Sequence, residues 1–100
     1  MKLSDSLPQE EFFVWVTYDI DNECAYTEKI KNDFRCRFWV TKEGSASIMF
    51  VNIPDGFILP GQRKKVLAYT IDPEYAQELI KSNKVYWGSA VCSLGTIEII

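Results

Sequence analysis

Phe34-Arg35-Cys36-Arg37-Phe38-Trp39-Val40-Thr41 is the stretch that decides the fold, because its residue types change with a period of two. Successive side chains of an extended strand point to opposite faces. Phe34, Cys36, Phe38 and Val40 therefore share one face, and Arg35, Arg37, Trp39 and Thr41 share the other. The first set is expected in a core and the second toward solvent. Lys42-Glu43-Gly44 follows as a hairpin turn in which Gly44 is free to take a positive φ. Residues 45–53 then resume strand character through Ile48, Met49, Phe50 and Val51, which predicts two antiparallel strands.

Outward toward the N-terminus, Phe12, Val14, Val16 and Tyr18 alternate with Phe13, Trp15 and Thr17, another strand with apolar residues on both faces. Asp19, Asp21, Asn22 and Glu23 end it, and the polar stretch to Asp33 reads as a long loop. In the other direction, Pro54-Asp55-Gly56 and Pro60-Gly61 are turn signals on either side of Phe57, Ile58 and Leu59. Residues 66–71 form an apolar strand. Asp72 is a good helix N-cap with Pro73 at the first helical position, and Ala76, Leu79 and Ile80 make one apolar face, which predicts a short helix near residues 73–82. Val85, Tyr86 and Trp87 precede a break at Gly88-Ser89, after which residues 90–93 and 96–100 read as further short strands.

These elements predict an all-β fold: a small closed antiparallel β-barrel of about six strands, since closure removes exposed strand edges. A polar tail over residues 1–10 precedes a single domain over residues 11–100. The length of 100 residues, 47% of them hydrophobic, suits one core and leaves no room for a second. Residues 1–11 lack the charged flank and apolar run of a signal peptide, and no apolar stretch approaches bilayer length, so neither export nor a membrane span is expected.

The composition removes several classes of chemistry. Histidine is absent, which takes away the usual general base, the Ser-His-Asp triad and the commonest metal ligand, so no catalytic residue and no cofactor are expected. Asp19, Asp21 and Glu23 have the look of a calcium loop, but Cys24 stands where the sixth position requires Gly and Ile30 where the twelfth requires Glu. Cys24, Cys36 and Cys92 lack the paired spacing of a zinc site. Their odd number reads as reduced thiols in a cytoplasmic protein. The net charge of -3 should repel phosphate polyanions unless a local basic patch overrides it.

The run from Phe34 through Arg35-Cys36-Arg37-Phe38-Trp39-Val40-Thr41 to Ile48 is followed in order by Phe57-Ile-Leu-Pro-Gly61, Ile71-Asp-Pro73 and a closing Gly95-Thr-Ile-Glu-Ile-Ile100. This succession resembles the C-terminal β-barrel domain of elongation factor Tu, over residues 11–100. The resemblance implies a barrel that in the family touches the T-arm of aminoacyl-tRNA, a GTPase domain and a nucleotide exchange factor. Here no Gly-x-x-x-x-Gly-Lys-Ser/Thr loop is present, so GTP binding is not expected. The family's Arg-rich Gly-Gly turn is replaced by the uncharged Gly88-Ser89-Ala90. Transfer RNA contacts are weakened accordingly.

What remains is a non-catalytic binding module acting on a protein partner, with Arg35, Arg37, Trp39, Tyr86 and Trp87 as candidate contacts, because exposed aromatics and Arg dominate interface energies. Tyr86 and Trp87 flank a strand and have burial in the barrel as their alternative. An RNA-binding reading is open through Arg35, Arg37 and Trp39, joined by Arg63, Lys64 and Lys65, where guanidinium and indole could hold phosphate and stack bases. A small inhibitor or immunity protein is a further alternative, and a homodimer would cover an exposed Trp39 or Phe57.

Overall fold

The computed structural model describes residues 10–41, 44–70, 81, 85–89 and 91–99. Eight strands appear there: β1 (Glu10–Tyr18), β2 (Ile30–Lys31), β3 (Phe34–Trp39), β4 (Ser45–Asn52), β5 (Phe57–Ile58), β6 (Arg63–Thr70), β7 (Val85–Gly88) and β8 (Ser93–Ile99). Six of them close into a barrel in the order β1-β6-β4-β3-β7-β8, and β2 and β5 form a separate two-stranded ribbon. All of the pairings are antiparallel. The closed all-β barrel expected from the alternating stretches is thus the observed fold. The helix expected near residues 73–82 lies outside the described residues, apart from the helical Lys81.

The period of two sorts the side chains as the sequence suggested. Val14, Val16 and Tyr18 of β1 point inward with Phe38 of β3, Ile48 and Phe50 of β4, Val66 and Ala68 of β6, and Val85 and Trp87 of β7. Trp87 sits among the other core rings, with its centroid 5.0 Å from Phe50, 5.7 Å from Tyr18 and 6.4 Å from Phe34, each contact edge-on. Edge-on packing sets the positive rim of one ring against the negative face of the next and adds to area burial.

Residues 93–99 are one continuous strand, not two strands with a break. Gly95 does not interrupt it. A Cβ at that position would collide with the Thr17 carbonyl oxygen and come within 3.0 Å of Trp87 Nε1, so the glycine lets β8 pass close to the inward-pointing indole. At the Pro54–Gly56 turn, a one-turn 3-10 helix, Asp55 and Gly56 take φ of 65° and 85°. This matches the proline-then-glycine turn chemistry of the sequence.

The cysteines require a correction. Cys24 and Cys92, 68 residues apart, form a disulfide with a Cα–Cα distance of 5.4 Å, and only Cys36 is a free thiol. An odd count indicated that all three were reduced. The barrel brings the loop after β1 against the β7–β8 turn, a proximity that sequence spacing does not encode.

Candidate functional site

The loop between β1 and β2 is polar, yet its conformation is tightly determined. Asn22 is buried and uses its whole amide: Nδ2 donates to the Asp19 and Tyr26 carbonyls at 3.0 and 2.8 Å, and Oδ1 accepts from the Tyr26 N–H at 2.8 Å. The Tyr18 hydroxyl reaches out of the core to donate to the Glu28 carbonyl at 2.8 Å. Burial, with Tyr26 and Glu28 nearby, pushes this phenol above its ordinary 10.0. The Ser93 N–H donates to Glu23 Oε1 at 2.9 Å, beside the Cys24–Cys92 bond. Of the acidic residues that resembled a calcium loop, Glu23 thus serves as a brace through its carboxylate, and no cluster able to hold a metal occurs among the described residues.

This braced loop forms one wall of a cleft of about 830 Å³. Cys24, Tyr26, Cys92 and Leu94 line it together with Phe34, Cys36 and Ile48 of the barrel wall. Arg35 and Arg37, both exposed, also border it, as do Ser47 and Tyr69. The volume falls within the range of ordinary ligand sites, and a mostly apolar lining with a few placed polar groups is their usual make-up.

The two arginines differ in how they are held. Arg37 donates from Nε and Nη2 to Ser45 Oγ at 3.0 and 2.9 Å, and from Nη2 to the Ser45 carbonyl at 3.2 Å. Arg35 has no hydrogen-bond or ionic partner among the described residues. Neither guanidinium is neutralised by a described carboxylate. Cys36 lies between them in sequence with its side chain on the inward face, where burial pushes the thiol well up, partly offset by a hydrogen bond from the Gly88 backbone. A thiol held protonated is a poor nucleophile.

Other residues singled out from the sequence go elsewhere. Trp39 is 3% exposed, although strand alternation places it on the same face as Arg35 and Arg37. It pairs with Ser45 on one side and Tyr86 on the other and lies outside the main core cluster. Alternation fixes the direction of a side chain without fixing what covers it, so an indole expected at the centre of an interface is instead buried. Trp87 is the fully buried centre of the barrel. Tyr86, its neighbour on the opposite face, is half-buried.

The three consecutive basic residues separate by the same alternation. Arg63 lies 4.4 Å over the Trp15 ring and bonds Glu98 at 2.9 Å, and Lys65 lies 4.9 Å over Phe13. Lys64 turns the other way, donating to the Pro54 and Phe57 carbonyls at 3.0 and 2.7 Å, where it braces the 3-10 turn. These three residues therefore do not line the cleft with Arg35 and Arg37.

Sequence reasoning missed Cys24, Tyr26, Cys92 and Leu94 as cleft residues, because each comes from a connection or a strand distant in the chain. The available signal was the turn chemistry at Gly88-Ser89, which brings Cys92 back toward the wall. Among the described residues no helix is long and apolar enough to cross a membrane. No family model matches the chain, and no curated protein or solved structure matches it either.

Proposed function

We propose that the chain is a binding module without catalytic chemistry of its own, and that a segment of a protein partner occupies the cleft bordered by Arg35 and Arg37. One observation carries this reading: an apolar cleft of about 830 Å³ is bordered by two guanidinia that no described carboxylate neutralises, in a chain of net charge -3. Such a site favours an apolar side chain flanked by acidic ones. Its walls are set in advance by Asn22, the Tyr18 hydroxyl and the disulfide, which lowers the ordering cost of binding.

The RNA alternative is weaker on this geometry. With Trp39 buried and Trp15 already covered by Arg63, neither indole is left as a stacking platform beside the two arginines. The Cys24–Cys92 bond also favours an oxidising compartment over the cytoplasm, and with it a partner outside the translation apparatus.

The test is a nuclease-treated pull-down from source material, run in parallel with the wild type and with the Arg35→Glu/Arg37→Glu double variant at matched thermal midpoints. The expected result is a protein retained by the wild type and lost by the variant. Identical retention by the two, or retention that nuclease abolishes, overturns the reading.

A further inference from the structure

We propose that the partner enters this site by its own C-terminus, with the terminal carboxylate on Arg35 and the last, apolar side chain lying on Met49 and Tyr69. The proposal rests on the cleft being a protein-docking site and names the part of the partner that docks.

The pairing register places these three residues in one row. Arg35 of β3 pairs with Met49 of β4, and Met49 pairs with Tyr69 of β6. Their chain neighbours Ile48, Phe50, Ala68 and Thr70 are buried, so by alternation Met49 and Tyr69 share the outer face of the wall with Arg35. All three line the cleft, Arg35 exposed and the other two half-buried. Adjacent strands lie about 4.8 Å apart, which sets Tyr69 roughly 10 Å from Arg35 across the wall, with Met49 as the floor between them.

The polar groups of the row are unequally engaged. Arg37 is held by the Ser45 hydroxyl and carbonyl, whereas Arg35 has no partner among the described residues. The Tyr69 hydroxyl makes no hydrogen bond among them either. One unpaired guanidinium therefore stands beside a thioether that adapts to an apolar side chain, with a phenol on the far side. Glu11 of β1 pairs with Tyr69 and is exposed at the other end of the row. An extended polyanion laid across the wall meets that carboxylate, while a single carboxylate on Arg35 stays three strands away, about 14 Å and beyond the Debye length in physiological salt.

A chain terminus matches this layout better than an internal acid. In the last residue of a chain the carboxylate and the side chain branch from one Cα, so a single residue spans neighbouring strands and meets both Arg35 and Met49. An internal Asp or Glu brings two flanking peptide groups over the Met49 floor, which has no hydrogen bond to give them, and a buried polar group left unpaired is costly. A terminus brings one peptide group, and the Tyr69 hydroxyl is there to bond it. Guanidinium and carboxylate also form paired, charge-assisted hydrogen bonds, the strongest contact open to Arg35.

The probes are peptides Gly-Ser-Thr-Ser-Val-X with a free carboxyl end, X being Leu, Phe or Met, labelled with fluorescein at the amino end and titrated by fluorescence anisotropy. Each is compared with its C-terminal amide. A further amidated peptide, Gly-Val-Glu-Leu-Ser-Ser, carries its one carboxylate on an internal side chain. The expected result is binding of at least one free acid, with affinity roughly tenfold or more lower for its amide and for Arg35→Gln, and roughly fivefold lower for Tyr69→Phe. Lys65→Gln, which removes a positive charge outside the cleft, should bind as the wild type does. Equal binding of acid and amide, or tighter binding of the internal-acid peptide, overturns entry by the terminus while leaving the docking reading intact. Failure of every peptide at millimolar concentration overturns it as well, and saturation by decanoate in their place would reassign the site to a small amphipathic acid. The pull-down does not depend on these probes, so its outcome judges the docking reading separately.

Discussion

The indole Nε1 of Trp87 donates to the backbone carbonyl of Thr17 at 3.0 Å, joining two strands that do not pair with each other. β8 lies between them, and at that level its residue is Gly95, which pairs with Trp87 on one side and with Tyr18 on the other. The bond is possible because nothing projects from Gly95. Gly95→Ala should destabilise the barrel by about 3 kcal/mol or more, since the obstructing atom is backbone held by strand pairing. Trp87→Phe should cost about 2–4 kcal/mol through lost volume and a lost bond. Urea denaturation of both variants checks the order.

The disulfide closes a span of 68 residues. Replacing both Cys24 and Cys92 by Ser should lower stability by about 4 kcal/mol, by constraining the unfolded chain less. The expected observation is a lower thermal midpoint in the variant, matched by the wild type in reductant. A midpoint insensitive to reductant would contradict it.

Tyr18 predicts the alkaline limb of stability. Its pKa is raised on folding, so the folded state prefers the protonated phenol. The corresponding stability is complete below pH 10.0 and is lost as pH climbs above that value. Tyr18→Phe removes the bond to the Glu28 carbonyl, at a cost of about 1 kcal/mol near neutrality, and should flatten the decline above pH 10.0. Denaturant midpoints across pH 8 to 11 in the two proteins compare the slopes.

Cys36 should resist alkylation in the folded protein. Burial keeps its thiol protonated above the ordinary 9.0. Iodoacetamide at pH 8 is expected to label it far more slowly in the folded protein than in denaturant, because little thiolate forms at its place in the cleft wall. Rapid labelling under native conditions would show that the thiol is not desolvated.

The strands were legible in the sequence because each half-buried strand alternates visibly, as at Phe34 through Trp39 and at Phe12 through Tyr18. Turns were legible where glycine and proline are chemically required, as at Pro54-Asp55-Gly56. The site was legible only in Arg35 and Arg37. Trp39 appeared exposed because alternation gives direction and not cover, and Cys24 and Cys92 appeared separate because their meeting depends on barrel closure.

Closure between β1 and β8 also has a consequence for synthesis. The pairs Val14↔Ile99 and Tyr18↔Gly95 join the beginning of the described chain to its end. A ribosome that has delivered β1 through β7 has produced a wall with two raw edges, one on β1 and one on β7, and a Trp87 indole still lacking Gly95 beside it. The nascent barrel must wait for its last strand, a long-range and therefore slow step, and during that interval its edges are open to chaperones and to other chains.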